Sequence, residues 1–216
     1  MIVAIDGGVA SGKSAVGRRV AEKLGLPFID SGLMYRAVTR LAAEQRIDPH
    51  DAAAVSRLAQ AAVIRIEGER IWVNGVELTQ GIFDADYAEA LPLISAIPDV
   101  RRALVEQQRR MGAAGVVMAG RDIGTVVFPN ADVKFFLIAS LDEKVRRRAA
   151  QFERRGERVD QEAMRTEVEA RDRVDTQRAV APLRPADDAI VIDTDHLDVD
   201  QVVERIVELA RQRLRN

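Results

Sequence analysis

Cysteine is missing from this chain altogether, which excludes disulfides and thiolate metal sites. Histidine is nearly missing. Only His50 and His196 occur, both in polar loop contexts, and both are expected at the surface. No run of about 18 apolar residues exists, so no membrane-spanning helix is expected. An apolar run begins at residue 2 and leaves no room ahead of it for a signal peptide. At a net charge of −2 the chain has no overall field to steer nucleic acid, and no nucleic-acid partner is expected. Together these absences point to a cytoplasmic protein. Lysine is scarce too: of 32 basic residues only Lys13, Lys23, Lys134 and Lys144 are lysines. The rest are arginines, the better fork for bidentate phosphate contacts. Genomic base composition accounts for most of that skew, so position rather than number must identify functional arginines.

The 216 residues, 47% of them hydrophobic, suit one α/β domain with inserted parts. Near the start stands Gly7-Gly8-Val9-Ala10-Ser11-Gly12-Lys13-Ser14, the spacing G-x-x-x-x-G-K-[ST] of a phosphate-binding loop. Residues 2–6 before it read as a buried strand. Residues 14–24 after it read as a helix with Gly25 as its stop. A strand, a glycine turn and a helix N-terminus aim backbone N–H groups at one point, which attracts phosphate. Lys13 adds a charge for the β- and γ-phosphates, and the Ser14 hydroxyl can hold Mg²⁺.

Further apolar runs at 27–29, 116–118, 133–138 and 189–192 alternate with helical patterns, which predicts βαβ units and a parallel sheet. Val199, Val202, Val203, Ile206, Leu209, Ala210 and Arg213 mark an amphipathic final helix. Ser140-Leu141-Asp142-Glu143 predicts a capping box. Two regions break the alternation. At 64–78, Ile64, Ile66, Ile71 and Val73 alternate with charged residues before Asn74-Gly75, predicting a small antiparallel excursion with a hairpin-type turn. Residues 146–184 are dense in charge and poor in large apolar groups, which suits a surface helix pair or a lid over the phosphates.

Several chemistries can use such a loop. A GTPase needs an Asn-Lys-x-Asp motif, and none is present. A hydrolytic motor usually carries paired acidic residues after a second buried strand, but Val116-Val117-Met118 runs into Ala119-Gly120-Arg121-Asp122. A small-molecule kinase needs less. A phosphate acceptor has a second pKa of about 6 and is already anionic, so no general base is required. Two polyanions must be held in line with their charge neutralised. Many arginines near loops and few candidate bases fit that demand.

Four further stretches carry a family likeness: Asp30-Ser31-Gly32-Leu33-Met34-Tyr35-Arg36, Pro98-Asp99-Val100-Arg101, Gly120-Arg121-Asp122-Ile123-Gly124-Thr125-Val126-Val127-Phe128-Pro129, and the segment from Arg171-Asp172-Arg173 through Arg178 to Leu183. With the phosphate loop and in this order, they make the chain resemble the bacterial cytidylate kinases, a nucleoside-monophosphate kinase family, essentially from end to end. The resemblance implies a parallel P-loop sheet flanked by helices, with a monophosphate-binding insert and a helical lid. The core would be about 1–30, 112–145 and 185–216, the monophosphate-binding part about 31–111, and the lid about 146–184. It implies transfer of a phosphoryl group from ATP, with Mg²⁺, to CMP or dCMP in pyrimidine nucleotide metabolism, by a monomer. Ser31, Tyr35 and Arg36 would meet the acceptor nucleotide, and Arg36 and Arg121 would grip its phosphate. Arg101 and Asp122 would read the base, because an acceptor beside a donor complements cytosine's edge. Arg171 and Asp175, one helical turn apart, would serve the ribose and phosphate end. Lys13, Arg148 and Arg178 would stabilise the transferring phosphoryl group.

Departures from the family pattern are visible. Ala119 stands where many members carry an acidic residue that would anchor Mg²⁺ waters. Pro92, with Ser95 nearby, stands where a base-contacting serine is usual, no arginine occurs around Phe83-Asp84, and Val174 replaces a frequent charge. Alternatives are a kinase for another small acceptor such as UMP or shikimate, and a nucleotide-binding module without catalysis. Against the latter stand the intact Lys13, Ser14, Arg36, Arg121 and Arg178.

Overall fold

A computed structural model describes residues 1–83, 87, 89–154, 156 and 159–213. Five parallel strands form the main sheet in the order β2-β6-β1-β7-β8. They are β1 (Ile2–Gly7), β2 (Phe28–Asp30), β6 (Val116–Gly120), β7 (Val133–Ile138) and β8 (Ile190–Asp193). These are the runs expected from the sequence, with β1 and β6 reaching further toward their carboxyl ends and β2 and β8 shifted one residue that way. No described helix is long and apolar enough to cross a membrane.

Both faces of the sheet are covered, which is why its strands read as unbroken apolar runs. On one face α1 (Lys13–Leu24) and α8 (Val199–Arg213) pack Val16, Val20, Val203 and Ile206 onto Val3, Ile5, Phe135 and Ile192. Gly25 closes α1 in the left-handed conformation, as expected of that stop. On the other face α5 (Pro98–Gly112) and the π-helical turn Ile123–Val127 cover Ala4 and Met118. Residues 31–111 hold a core of their own, in which α2 (Gly32–Glu44), α3 (Ala52–Ala61) and α4 (Ala90–Ala96) enclose Met34, Val38, Val55 and Ile94.

The antiparallel excursion has three strands: β3 (Ile64–Glu67), β4 (Arg70–Val73) and β5 (Val76–Glu77). Asn74 and Gly75, both at positive φ, join β4 to the short β5, whereas β3 and β4 turn through Gly68. The expected box at Ser140 forms only by half. Its hydroxyl accepts from Glu143 N at 3.3 Å at the head of α6 (Leu141–Glu153), but Ser140 N donates to Asp195. Glu143 is instead drawn to Arg146 and Arg147, whose cations outcompete a backbone N–H. The charged segment 146–184 is less solvated than its composition predicts. Met164 and Val168 of α7 (Gln161–Gln177) pack with Val145 of α6 into a small core that also takes Val9 of the phosphate loop. His50 and His196 are exposed, as expected.

One buried carboxylate aligns the sheet with the turn after β6. Asp6, 4% exposed, accepts from Ile123 N at 2.8 Å and Gly124 N at 2.7 Å. Burial pushes its pKa up to about 6 against the pull of those two donors. Asp6→Ala strands both N–H groups, and an unsatisfied buried donor costs about 1–3 kcal/mol. Urea unfolding should therefore show a loss of about 2–4 kcal/mol, with Asp6→Asn intermediate because its amide oxygen still accepts one bond.

Candidate active site

The loop 7–14 lies at the carboxyl end of β1, the central strand, and its backbone is bent into a nest. Ala10 has φ 54° and Gly12 φ 88°, left-handed values that turn successive N–H groups inward. Lys13 folds back over the loop and donates to Gly8 O at 2.8 Å. Burial, with Arg121 nearby, lowers its pKa to about 7 although Asp30, Asp175 and Asp172 pull the other way. Ser14 Oγ donates to Asp30 Oδ2 at 2.6 Å. Ser11 Oγ is buried with no hydrogen-bond partner among the described residues.

The two helices of segment 146–184 reach this loop. Asp172 on α7 accepts from Val9 N at 3.0 Å and from Lys144 Nζ at 2.6 Å. A Cβ on Gly8 would come within 2.8 Å of the Asp172 carboxylate and would push that side chain aside. Arg147 on α6 donates to Ser11 O at 3.4 Å, Thr194 Oγ1 at 2.9 Å and Thr194 O at 2.6 Å.

Beyond the loop lies a chain of charges. Asp175, 1% exposed, accepts from Arg121 Nε at 2.8 Å and lies 3.5 Å from Arg171 Nε. Burial would raise its pKa, but Arg121 and Arg171 outweigh burial and hold it below the usual carboxylate range. Arg178 stands 3.9 Å from Asp175 and 3.8 Å from Asp122, and its Nη2 is buried without a hydrogen-bond partner. Asp122 forms a buried ion pair with Arg101. Arg101 also donates to Ser95 O at 2.9 Å and lies 5.2 Å from the Tyr35 ring centroid. Arg36, on the first turns of α2, lies over Phe83. Burial and the neighbouring Arg148 and Arg171 bring its pKa down to about 10. Arg148 bonds Glu167 at 3.2 Å and leaves a buried Nε without a partner.

Nearly all the residues singled out from the sequence thus meet in one connected cluster of charges beside loop 7–14. Ser31 is the partial exception. Its hydroxyl donates to Ala119 O at 2.9 Å, tying β2 to β6, so its proton is committed to backbone. Ser95 likewise donates to Pro92 O at 3.1 Å. Of the departures noted in the sequence, Ala119 is fully buried, Val174 is exposed, and Asp84 lies outside the described residues. Sequence reasoning passed over Asp30, Lys144, Arg147 and Asp172. Asp30 and Asp172 stand inside the stretches that carry the family likeness. Lys144 was visible as one of the few lysines. Arg147 had no signal that set it apart from Arg146.

Chemically, the cluster and loop 7–14 offer backbone N–H groups and Lys13 at one end, a donor–acceptor pair at the other, and arginines between. Cations that depress one another's ionisation in a buried site favour a polyanion that relieves them.

The family description "Cytidylate kinase" matches residues 3–212. A cytidylate kinase of Geobacillus sp. (strain WCH70) is 42% identical over 217 residues, covering 98% of this chain and 97% of that protein. A bifunctional pantoate ligase/cytidylate kinase of Synechococcus sp. (strain JA-2-3B'a(2-13)) is 44% identical over 221 residues, 99% of this chain but 41% of that protein. The chain thus spans about two fifths of the length of the bifunctional relatives it matches. Among solved structures, an uncharacterized protein from Eubacterium ventriosum ATCC 27560 shares the fold, with a TM-score of 0.50 at 14% identity over 98% of each chain. A family match from end to end, joined to identity above 40% across a full-length relative, means that this chain belongs to the cytidylate kinase family.

Proposed function

We propose that the chain transfers the γ-phosphoryl group of ATP to the phosphate of CMP or dCMP, giving ADP and CDP or dCDP. One observation carries this reading: the buried Arg101–Asp122 pair is linked through Arg178, Asp175 and Arg121 to the phosphate loop. A base-reading pair and a triphosphate cradle are joined by a row of phosphate-binding side chains.

The acceptor's phosphate oxygen forms the new bond to the γ-phosphorus, and the bond from that phosphorus to the β–γ bridging oxygen breaks. An acceptor phosphate with a second pKa of about 6 is largely dianionic at neutral pH, so no protein base is needed. The chain's work is alignment and charge neutralisation. Loop 7–14 holds the triphosphate, with Lys13 on the β- and γ-phosphates. Arg36 and Arg121 hold the acceptor phosphate, and Arg171 and Asp175 its ribose end. Arg148 and Arg178 bring charge to the transferring group as segment 146–184 closes over the core and the monophosphate-binding part. Asp122 accepts from the exocyclic amine of cytosine while Arg101 donates to its ring acceptors, and Tyr35 lines the same side.

The residues present fit Mg²⁺. Ser14 Oγ donates its hydrogen bond to Asp30 Oδ2 at 2.6 Å, which leaves the oxygen lone pairs for a hard cation. Among the described residues no group of three or more His, Asp or Glu forms a cage, which suits an ion held mainly by phosphates and water. Bound there, Mg²⁺ would neutralise charge on the β- and γ-phosphates. We also propose a part in pyrimidine nucleotide metabolism as a cytoplasmic monomer without a nucleic-acid partner, a reading the family membership supports.

Three outcomes are expected. CMP and dCMP should exceed UMP in kcat/KM by about 10²-fold or more, because uracil reverses the donor pattern facing Asp122 and leaves buried polar groups unpaired. Equal turnover of the two at subsaturating concentration would remove the base-reading role. Arg178→Ala should lower kcat by roughly 10³-fold while ATP affinity changes less than tenfold, as for a group acting on the transition state. A rise in the KM for CMP alone would make Arg178 a ground-state clamp. Lys13, at about 7 in the free protein, should regain its proton when phosphates arrive. ATP binding should therefore take up protons above pH 7 and weaken as pH rises from 7 to 9, which calorimetry in buffers of different ionisation enthalpy measures.

A further inference from the structure

Ala119 on β6 offers no carboxylate to a cation, yet the sheet places one beside it. Register pairs Ala119 of β6 with Asp30 of β2, so their side chains leave the same face of the sheet. That face looks toward α1. Phe28, two residues before Asp30, packs against Gly17 of α1, whereas Gly120 turns the other way, toward Ile123. Asp30 ends its strand at the first turn of α1, where its Oδ2 accepts a hydrogen bond from Ser14 Oγ at 2.6 Å. Its Oδ1 accepts from Gly32 N at 3.0 Å, which fixes the carboxylate plane. It is only half-buried, and it is among the carboxylates that raise the Lys13 pKa. No cation among the described residues lies within salt-bridge distance of it, unlike Asp122, Asp172 and Asp175.

We infer that Asp30 is the acidic partner of the nucleotide-bound cation, filling from β2 the role that Ala119 leaves empty on β6. This inference rests on the reading of loop 7–14 as an ATP site. The physical case has two parts. An acceptor for the Ser14 O–H turns its hydrogen away and points the oxygen lone pairs at a metal, and Asp30 is that acceptor. A carboxylate next to the ligand also orders the water that Mg²⁺ retains, as such outer partners of a metal do. Asp30 is a positioning residue in this scheme; it holds Ser14 and the hydration shell, and does not touch the transferring group.

The same carboxylate repels the triphosphate when no metal is present, which gives the test opposite signs. The probes are Mn²⁺, followed by electron paramagnetic resonance, and a non-hydrolysable ATP analogue with and without metal. Asp30→Asn should weaken Mn²⁺ binding to the protein–analogue complex by about 10-fold or more. It should leave metal-free analogue bound equally or more tightly. Asp30→Asn/Ala119→Asp, which moves the charge one strand over on the same face, should recover most of the lost metal affinity. Ala119→Asp alone should tighten it. An unchanged Mn²⁺ constant in Asp30→Asn overturns the inference. Equal weakening of metal-loaded and metal-free analogue also overturns it, because a merely structural role predicts that result. Wild-type protein that binds the analogue in neither form would overturn the ATP-site reading itself, a different failure.

Discussion

Like charge crowded into a partly buried cluster is the constraint on which the rest of this structure depends. Arg36, Arg121, Arg148 and Arg171 approach one another closely enough that burial and mutual repulsion lower the Arg36 pKa to about 10. Water cannot screen them as it would at a surface. Asp122 and Asp175 compensate only in part, and both are spent on more than one arginine. The remaining imbalance favours anions, and it lies between loop 7–14 and the buried Arg101–Asp122 pair.

The fold exists around that cluster in a specific way. The carboxyl ends of β2, β6 and β1 lie side by side, so Asp30 and Gly120 at their strand ends and Asp6, one residue before the end of β1, lie within reach of one loop. Asp6 fixes the turn that carries Asp122 and the residues after it, and Ser31 fixes β2 to β6 through Ala119 O. Polar side chains thus do at the sheet edge what apolar packing does in its interior. Segment 146–184 joins by a different device. Asp172 takes a phosphate-loop N–H and a lysine ammonium, the same groups that a phosphate oxygen would take.

Local sequence made much of this legible. The strand–loop–helix at 2–24 could be read because Gly12, Lys13 and Ser14 have few other reasons to occur at that spacing. The strands could be read because a sheet covered on both faces demands unbroken apolar runs. The three-stranded sheet was only partly legible. Asn74-Gly75 announced a turn, but not that the longer pair β3 and β4 turns at Gly68. The Ser140 box failed because Glu143 had a choice, and two arginines one turn away outbid a backbone N–H.

By itself, the sequence determined the nature of the loop, the order of strands and helices along the chain, the family, and the arginines that could matter. These depend on residue type and spacing over a few turns, where chain geometry leaves little freedom. Tertiary structure alone decided which charges meet. The pairing of Arg101 with Asp122, the approach of Asp172 to Val9, the grip of Arg147 on Thr194, and the position of Asp30 beside Ala119 join residues 21, 163, 47 and 89 apart in the chain. No local period encodes such contacts. They follow from strand register and helix docking, which only the packed core establishes.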